Sequence, residues 1–156
     1  MGIDIKWLEE HFFKQGLSDA QKNLINEKIE ATQYAKGDVI VAQGSPGDAI
    51  YIIHSGKAYI DCNCNGENMR VGTAKEGDLV GEMSFLTEDD ASATVTACED
   101  CVIYKLSRAA FTDFMRTDPD LVYAIFAHLL THTANVIRQM NAEKASIQHY
   151  MAGSRF

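Results

Sequence analysis

The chain has 156 residues, of which 46% are hydrophobic and 23% charged, and its formal net charge is −8. This composition indicates a globular protein with a substantial core, and a negative charge without any basic stripe argues against nucleic acid as a partner. No apolar run approaches the length of a membrane span and the N-terminus lacks a signal-peptide pattern, so we expect a soluble, cytoplasmic protein without a membrane partner.

Residues 5–30 are predicted to form helices. Apolar residues recur there at helical spacing after Asp4, which can cap the first helix. Ser18 and Gln21 have the spacing of a capping box at the start of a second helix.

From residue 37 onward the apolar pattern changes to a period of two, and glycines divide the chain into short segments rich in Val, Ile, Tyr and Thr. The predicted strands are Val39–Ala42, Ile50–His54, Ala58–Cys62, Arg70–Ala74, Asp78–Val80, Ala93–Cys98 and Val102–Leu106. Many short strands separated by turn residues are typical of a closed barrel or a double-sheet jelly roll. Ser55-Gly56 and Asn65-Gly66 are predicted to be hairpin turns.

Helix returns in residues 107–150, with Ser107 as a predicted cap and Asp118-Pro119 as the start of a long second helix. Its apolar residues alternate at four and three: Val122, Phe126, Leu129, Thr133, Val136 and Met140. Such a stripe can pack on the barrel or pair with a second copy, and we favour a homodimer through this helix. The predicted fold is α+β, a single domain 1–156 in which an antiparallel β-roll (a double-stranded jelly roll, 32–106) is flanked by N-terminal helices and a long C-terminal helix.

The residues at the corners of this predicted fold carry a family resemblance. They are Gly37-Asp38, Gln43-Gly44, Gly47-Asp48, Tyr51, Ser55-Gly56, Gly77-Asp78, Gly81–Leu86 (GEMSFL), Ser92–Val95 (SATV), Ala97, Asp100-Cys101, Leu106-Ser107 and Phe111. On these residues the chain resembles the cyclic-nucleotide-binding domain, the family of the bacterial catabolite activator protein and of the regulatory subunits of cAMP-dependent kinase. The resemblance covers about residues 5 to 145, and it implies a non-catalytic regulatory domain that binds cAMP or cGMP.

The resemblance also implies a ligand-binding cassette, whose residues here are Gly81, Glu82, Met83, Ser84, Ala91, Ser92 and Ala93. Backbone N–H groups of the turn and short helix would hold the ring phosphate, and Gly81 would let the backbone approach it closely. Glu82 matches the carboxylate that accepts from the ribose 2′-hydroxyl. Ser84, Ser92 and Ala93 would supply further donors to the phosphate. On the long helix, Asn141 and Ala142 lie near the position that touches the base in the family.

One position departs from the family pattern. Ala91 stands where the family has its phosphate-binding arginine, and an acidic run, Glu88–Asp90, precedes it. Arg70, Lys75 and Lys105 are cations nearby in sequence, but spacing supports none of them as a substitute. We therefore expect either weak binding of a cyclic nucleotide or a different, less anionic ligand.

Cysteines and histidines offer weaker signals. Cys62, Cys64, Cys98 and Cys101 have C-x-C and C-x-x-C spacings, which suit zinc or redox chemistry. We interpret them instead as small buried hydrophobes in strands, and leave the zinc or redox site as an alternative. His128 and His132 are four apart on the long helix and are interpreted as part of its polar face. We expect no catalytic residues, no metal and no cofactor.

Two functions of different classes follow from these patterns. The first is a sensor that binds its ligand in the cassette and signals through the C-terminal helix to an unknown effector protein. The alternative is a degenerate domain without a nucleotide ligand, which acts as a dimerisation or protein-docking module and in which Glu82 is structural. We expect no DNA partner, because the helix-turn-helix of DNA-binding family members has no counterpart in this sequence.

Overall fold

The computed structural model describes residues 2–153, which contain eight strands in two four-stranded antiparallel sheets. The strands are β1 (Glu30–Tyr34), β2 (Val39–Val41), β3 (Ala49–Ser55), β4 (Ala58–Cys64), β5 (Glu67–Ala74), β6 (Leu79–Val80), β7 (Thr94–Ala97) and β8 (Cys101–Ser107). Their order is β1-β8-β3-β6 in the first sheet and β2-β7-β4-β5 in the second. Two such sheets with apolar side chains between them form the jelly roll that the strand pattern predicts.

Alternating side chains on the strands build two layers of core. On β3, Ile52 and Ile53 are both fully buried but point to opposite faces of the sheet. Ile53 packs with Val95 and Ile103 in the cluster between the two sheets. Ile52 belongs with Phe114 to the cluster between the first sheet and the helices. The strand β3 therefore supports both halves of the core.

Helices precede and follow the roll, and one short helix lies between its strands β6 and β7. They are α1 (Ile5–Trp7), which continues as a π-helical segment (Leu8–Phe13), α2 (Asp19–Lys28), α3 (Glu82–Thr87), α4 (Arg108–Thr117) and α5 (Pro119–Gly153). The predicted caps are confirmed, because the side chains of Asp4, Ser18 and Ser107 each accept a backbone N–H of the first turn. No helix within residues 2–153 has the length and apolarity that crossing a bilayer requires.

Two local predictions are wrong. The first is the list of strands, which begins at Val39 and omits β1, although the predicted roll (32–106) includes most of it. The strand β1 pairs along its whole length with β8. Its sequence, EATQY, has no apolar alternation, so pairing rather than burial makes it a strand. The second is the hairpin at Ser55-Gly56: β3 pairs with β6 and β8 whereas β4 pairs with β5 and β7, so the chain crosses there between sheets. Asn65-Gly66 does connect the paired strands β4 and β5.

The apolar stripe predicted on α5 is buried near the start of the helix and exposed farther along it. Val122 and Leu129 are buried in the core beside the first sheet, whereas Val136 and Met140 are exposed. A second row lies beside the first and contains Tyr123, Phe126, Leu130, Thr133, Ile137, Met140 and Ile147. Its spacings alternate at three and four, with Lys144 standing between Met140 and Ile147. We call this row the α5 seam. Both rows contain Phe126, Thr133 and Met140. Spacing along the sequence therefore cannot decide whether the first row or the α5 seam faces the barrel.

Candidate functional site

The predicted cassette begins at the sharp turn from β6 into α3. Gly81 has φ = 79°, a left-handed conformation that side chains with a Cβ rarely adopt. A Cβ at this position would also lie 3.2 Å from the carbonyl oxygen of Ala49 and from the Tyr51 ring. The fold itself therefore requires glycine here, whether or not a ligand approaches the turn.

All seven residues predicted to bind ligand lie around one cavity of about 160 Å³. They are Gly81, Glu82, Met83 and Ser84 from the turn and α3, and Ala91, Ser92 and Ala93 from the segment before β7. The rest of the wall is aliphatic, with Val41, Ile60 and Val95 among its side chains. Within the described part of the chain, no lysine, arginine or histidine lines this cavity, and Glu82 is its one charged residue.

Ala91 is fixed in the wall of the cavity by its backbone. Its N–H donates to the carbonyl oxygen of Ser45 and its own carbonyl accepts from Gly44 N, both at 2.8 Å. The residue is only 7% exposed and packs in the core between the sheets. Position 91, which the resemblance predicts to correspond to the family's arginine, thus carries a small apolar side chain at the cavity wall.

Glu82 is the first residue of α3 and is half-buried. Burial raises the pKa of its carboxyl above the ordinary value, and this is partly opposed by its own backbone N–H and by the nearby His132 of α5. A carboxylate removed from water gains most from a hydrogen-bond donor that enters the cavity. Glu82 therefore presents a half-buried hydrogen-bond acceptor at the cavity wall.

The two serines of the cassette differ in their availability. Ser84 is buried, and its hydroxyl donates to the carbonyl oxygen of Asp90 at 3.4 Å. This bond ties α3 to the segment before β7, so the Ser84 side chain already has a structural partner. Ser92 is exposed at the cavity rim.

Arg108 is a cation that contacts α3 directly and that was not predicted from the sequence. Its guanidinium donates to the carbonyl oxygens of Gly47 at 2.9 Å and Phe85 at 2.6 Å, and it lies 4.3 Å from the centre of the Phe85 ring. It also lies 3.7 Å from a carboxylate oxygen of Glu88. Arg108 thus holds the far end of α3 against the loop before β3 and does not line the cavity. The sequence position of Arg108, directly after the capping Ser107, does not predict this role.

The other charges near the cassette also lie outside the cavity. Glu88, Asp89 and Asp90 are exposed, so solvent and salt weaken their repulsion of an anionic ligand more than the sequence suggested. Arg70 pairs with Asp61 at 3.0 Å on the surface of the second sheet.

A second cavity, of about 610 Å³, lies between α5 and the second sheet. It shares Ile60 and Leu79 with the first cavity, and its polar lining includes Lys75 and His132. The residues of α5 that face it are His132, Asn135, Val136 and Gln139. Asn141 and Ala142, predicted to lie near the base, are exposed and do not line either cavity.

Comparison with known proteins agrees with this architecture. A sequence profile described as the cyclic nucleotide-binding domain matches residues 31–118, more than half of the chain. The chain is 32% identical over 116 residues to a cAMP-dependent protein kinase regulatory subunit of Aspergillus niger, an alignment that covers 74% of this chain. The chain spans only 28% of the length of that subunit.

Two solved structures are similar in fold. A cyclic nucleotide-binding domain from Methylobacillus flagellatus has a TM-score of 0.77 at 21% identity, covering 89% of this chain and 83% of that one. The regulatory subunit of a cAMP-independent protein kinase A from Trypanosoma brucei has a TM-score of 0.67 at 27% identity, covering 83% of this chain and 45% of that one. That second protein is a triple mutant bound to cAMP in its A site, and one substitution replaces threonine by arginine.

Proposed function

Because the chain belongs to the cyclic nucleotide-binding domain family, we propose that it is a non-catalytic regulatory module. It binds cAMP or cGMP weakly, or a less anionic small ligand, in the cassette, and it signals through α5 to an effector protein. The observation that carries this proposal is a cavity lined by every predicted cassette residue and, among residues 2–153, by no lysine, arginine or histidine.

The expected weakness follows from the energy of the missing contact. A charge-assisted hydrogen bond contributes roughly 1.5–3 kcal/mol, so its loss lowers phosphate affinity about ten- to a hundred-fold. The Trypanosoma brucei neighbour is consistent with this reasoning, because a cAMP-independent kinase subunit is seen with cAMP in a mutant that gains an arginine and also carries two substitutions to alanine. The ribose side of the cassette keeps its acceptor, Glu82.

Signalling through α5 is supported by the position of the second cavity. His132 and Val136 of α5 form one wall of it, while Ile60 and Leu79 are shared with the cassette cavity. A ligand that reaches both cavities touches the sheet and the helix together. Such a ligand can favour one packing of α5 over another, because a ligand that binds one of two conformations more tightly shifts the equilibrium toward it.

Calorimetric titration with cAMP, cGMP and adenosine tests the ligand part of this proposal. We expect measurable but weak binding by the wild type, and Glu82→Gln to weaken it about ten-fold or more, since the carboxylate is the acceptor for a ligand hydroxyl. Glu67→Gln, at the exposed end of the β4–β5 hairpin, is the matched control and should bind like the wild type. If none of the three ligands binds, or if Glu82→Gln binds as well as Glu67→Gln, the sensor function is wrong.

The α5 seam favours a second function, dimerisation. Leu130 is 67% and Ile137 51% exposed, and residues 135–153 of the helix are exposed throughout. A mostly apolar row with spacings that alternate at three and four on an exposed helix face is typical of a coiled-coil interface. We propose that the seam pairs two copies of the chain, whether or not a nucleotide binds.

Sedimentation of Ile137→Asp tests the seam. A buried, unpaired carboxylate at the centre of a coiled coil is strongly unfavourable, so we expect the dimer to dissociate at micromolar concentration. Arg138→Asp is the control: it introduces the same residue at the adjacent exposed position, outside the seam, and should leave the dimer largely intact. A wild-type monomer, or equal dissociation by both variants, would remove the seam as the interface.

A further inference from the structure

Two cysteines near the tip of the β4–β5 hairpin are not part of the core, contrary to the sequence-based interpretation. Cys62 is half-buried and Cys64 is exposed. Their Sγ atoms lie 2.8 Å apart. Because residues two apart in a strand point to the same face, the pair forms a dithiol on the protein surface.

The backbone between the two thiols is held from a neighbouring loop. The Gln43 side chain accepts from Asn63 N at 2.8 Å and donates to Asn63 O at 3.2 Å. On the other edge, β4 remains paired with β5 as far as Cys64 opposite Glu67. With both edges of β4 bonded, the two cysteines keep the same-face arrangement that brings their sulfurs together.

We propose that Cys62 and Cys64 form a thiol–disulfide exchange site, at which a glutathione-type disulfide converts the dithiol to an intrachain disulfide. Cα atoms two residues apart in a strand are separated by about 6.6–6.8 Å, at the upper end of the range of about 4.4–6.8 Å found for disulfides. The crosslink is therefore within reach but strained, and strained, exposed disulfides are the easily reduced, regulatory ones.

The exchange proceeds in two balanced steps. The Cys64 thiolate attacks one sulfur of glutathione disulfide, forms a mixed disulfide and releases one glutathione thiolate. Cys62 then loses its proton to the released thiolate and attacks Cys64 Sγ, which forms the intrachain disulfide and releases the second glutathione thiolate, protonated by solvent. Two electrons thus pass from the dithiol to the glutathione disulfide, which leaves as two molecules of glutathione.

Exposure and hydrogen bonding assign the order of the two thiols. Cys64 is the more exposed of the pair and is the first to meet a bulky disulfide. The hydrogen bond between the sulfurs raises the pKa of Cys62. Cys64 is therefore the attacking residue and Cys62 the resolving one.

The second pair of cysteines provides an internal control. Cys101 is buried, and its Sγ donates to the carbonyl oxygens of Lys57 at 3.1 Å and Glu99 at 3.2 Å. Burial raises the pKa of its thiol. Cys98 N and Cys101 Sγ both donate to the carbonyl oxygen of Lys57, which directly precedes β4. The dithiol lies at the other end of β4, so the four cysteines do not converge on one site.

The experiment equilibrates the purified chain with graded ratios of glutathione disulfide to glutathione, quenches with acid, alkylates, and digests with trypsin. The peptide of residues 58–70 contains both Cys62 and Cys64. We expect it to lose two hydrogens and its reactivity to alkylation as the disulfide fraction rises, while the peptide with Cys98 and Cys101 stays fully alkylated.

Single variants test the assigned roles. Cys62→Ser retains the attacking thiol and should form the mixed glutathione disulfide several-fold faster than Cys64→Ser, and neither variant can form the intrachain product. Circular dichroism checks that both remain folded. Stable mixed disulfides on the wild type without an intrachain product, crosslinks between chains, or equal oxidation of Cys98 and Cys101 would each overturn the proposal.

Discussion

Replacing Ala91 by arginine is expected to raise the affinity for cAMP roughly ten- to a hundred-fold. This gain corresponds to about 1.5–3 kcal/mol for a charge-assisted bond between guanidinium and phosphate. Ala91 already lines the cavity, and no lysine, arginine or histidine among the described residues does so. The bonds from its N–H to Ser45 and from Gly44 to its carbonyl involve only backbone atoms, so the substitution leaves them intact.

Two comparisons separate charge from bulk in this experiment. Ala91→Met introduces a side chain of similar reach without charge, and it should gain no affinity for cAMP. Adenosine has the same base and ribose without the phosphate, so Ala91→Arg should not bind it more tightly than the wild type does. Calorimetry of the three proteins with both ligands gives the answer. An equal gain for adenosine, or for the methionine variant, would show that the cassette does not place a phosphate at position 91.

Replacing Gly47 by alanine is expected to lower the free energy of unfolding by about 1–3 kcal/mol or more, the cost of overpacking a tight site. A Cβ there would lie 2.5 Å from the carbonyl oxygen of Asp89 and from Ser84 Cβ, and 2.6 Å from the Ser84 carbonyl carbon. Backbone atoms cannot rotate away, so α3 must separate from the loop before β3. The bond from Arg108 to the carbonyl of Gly47 is disturbed by the same shift.

Thermal unfolding measures this effect. For a domain of this size each kcal/mol lowers the Tm by roughly 2–4 °C, so a fall of several degrees is expected. Gly16→Ala is the matched control: its Cβ would have no atom within 4 Å and its φ is not in the left-handed region. That variant should stay within about 0.5 kcal/mol of the wild type. Equal melting of the two variants would mean that the contact between the Gly47 loop and α3 is loose.

The members of the cassette were predicted through the family resemblance, whose motifs here lie in two short segments, and the structure brings both segments to one cavity. Gly81 and Glu82 stand at a strand-to-helix turn, and Ala91 follows only nine residues later. Arg108 could not be assigned in this way, since its partner Gly47 is 61 residues away. The effect of the acidic run Glu88–Asp90 could not be predicted from the sequence either. Its sequence suggested repulsion of an anionic ligand within the site, but its residues are exposed to solvent.

The sequence by itself determined the features that depend on neighbours within one or two turns of chain. The caps at Asp4, Ser18 and Ser107, the Asn65-Gly66 turn and the alternation of most strands are of this kind, because their hydrogen bonds join residues close in sequence. Only the tertiary structure decided which row of α5 packs on the barrel, where the chain crosses between sheets, and that one cysteine pair lies on the surface. Each of these outcomes depends on packing between elements far apart in the chain, and spacing along the sequence carries no information about which partner will cover a given face.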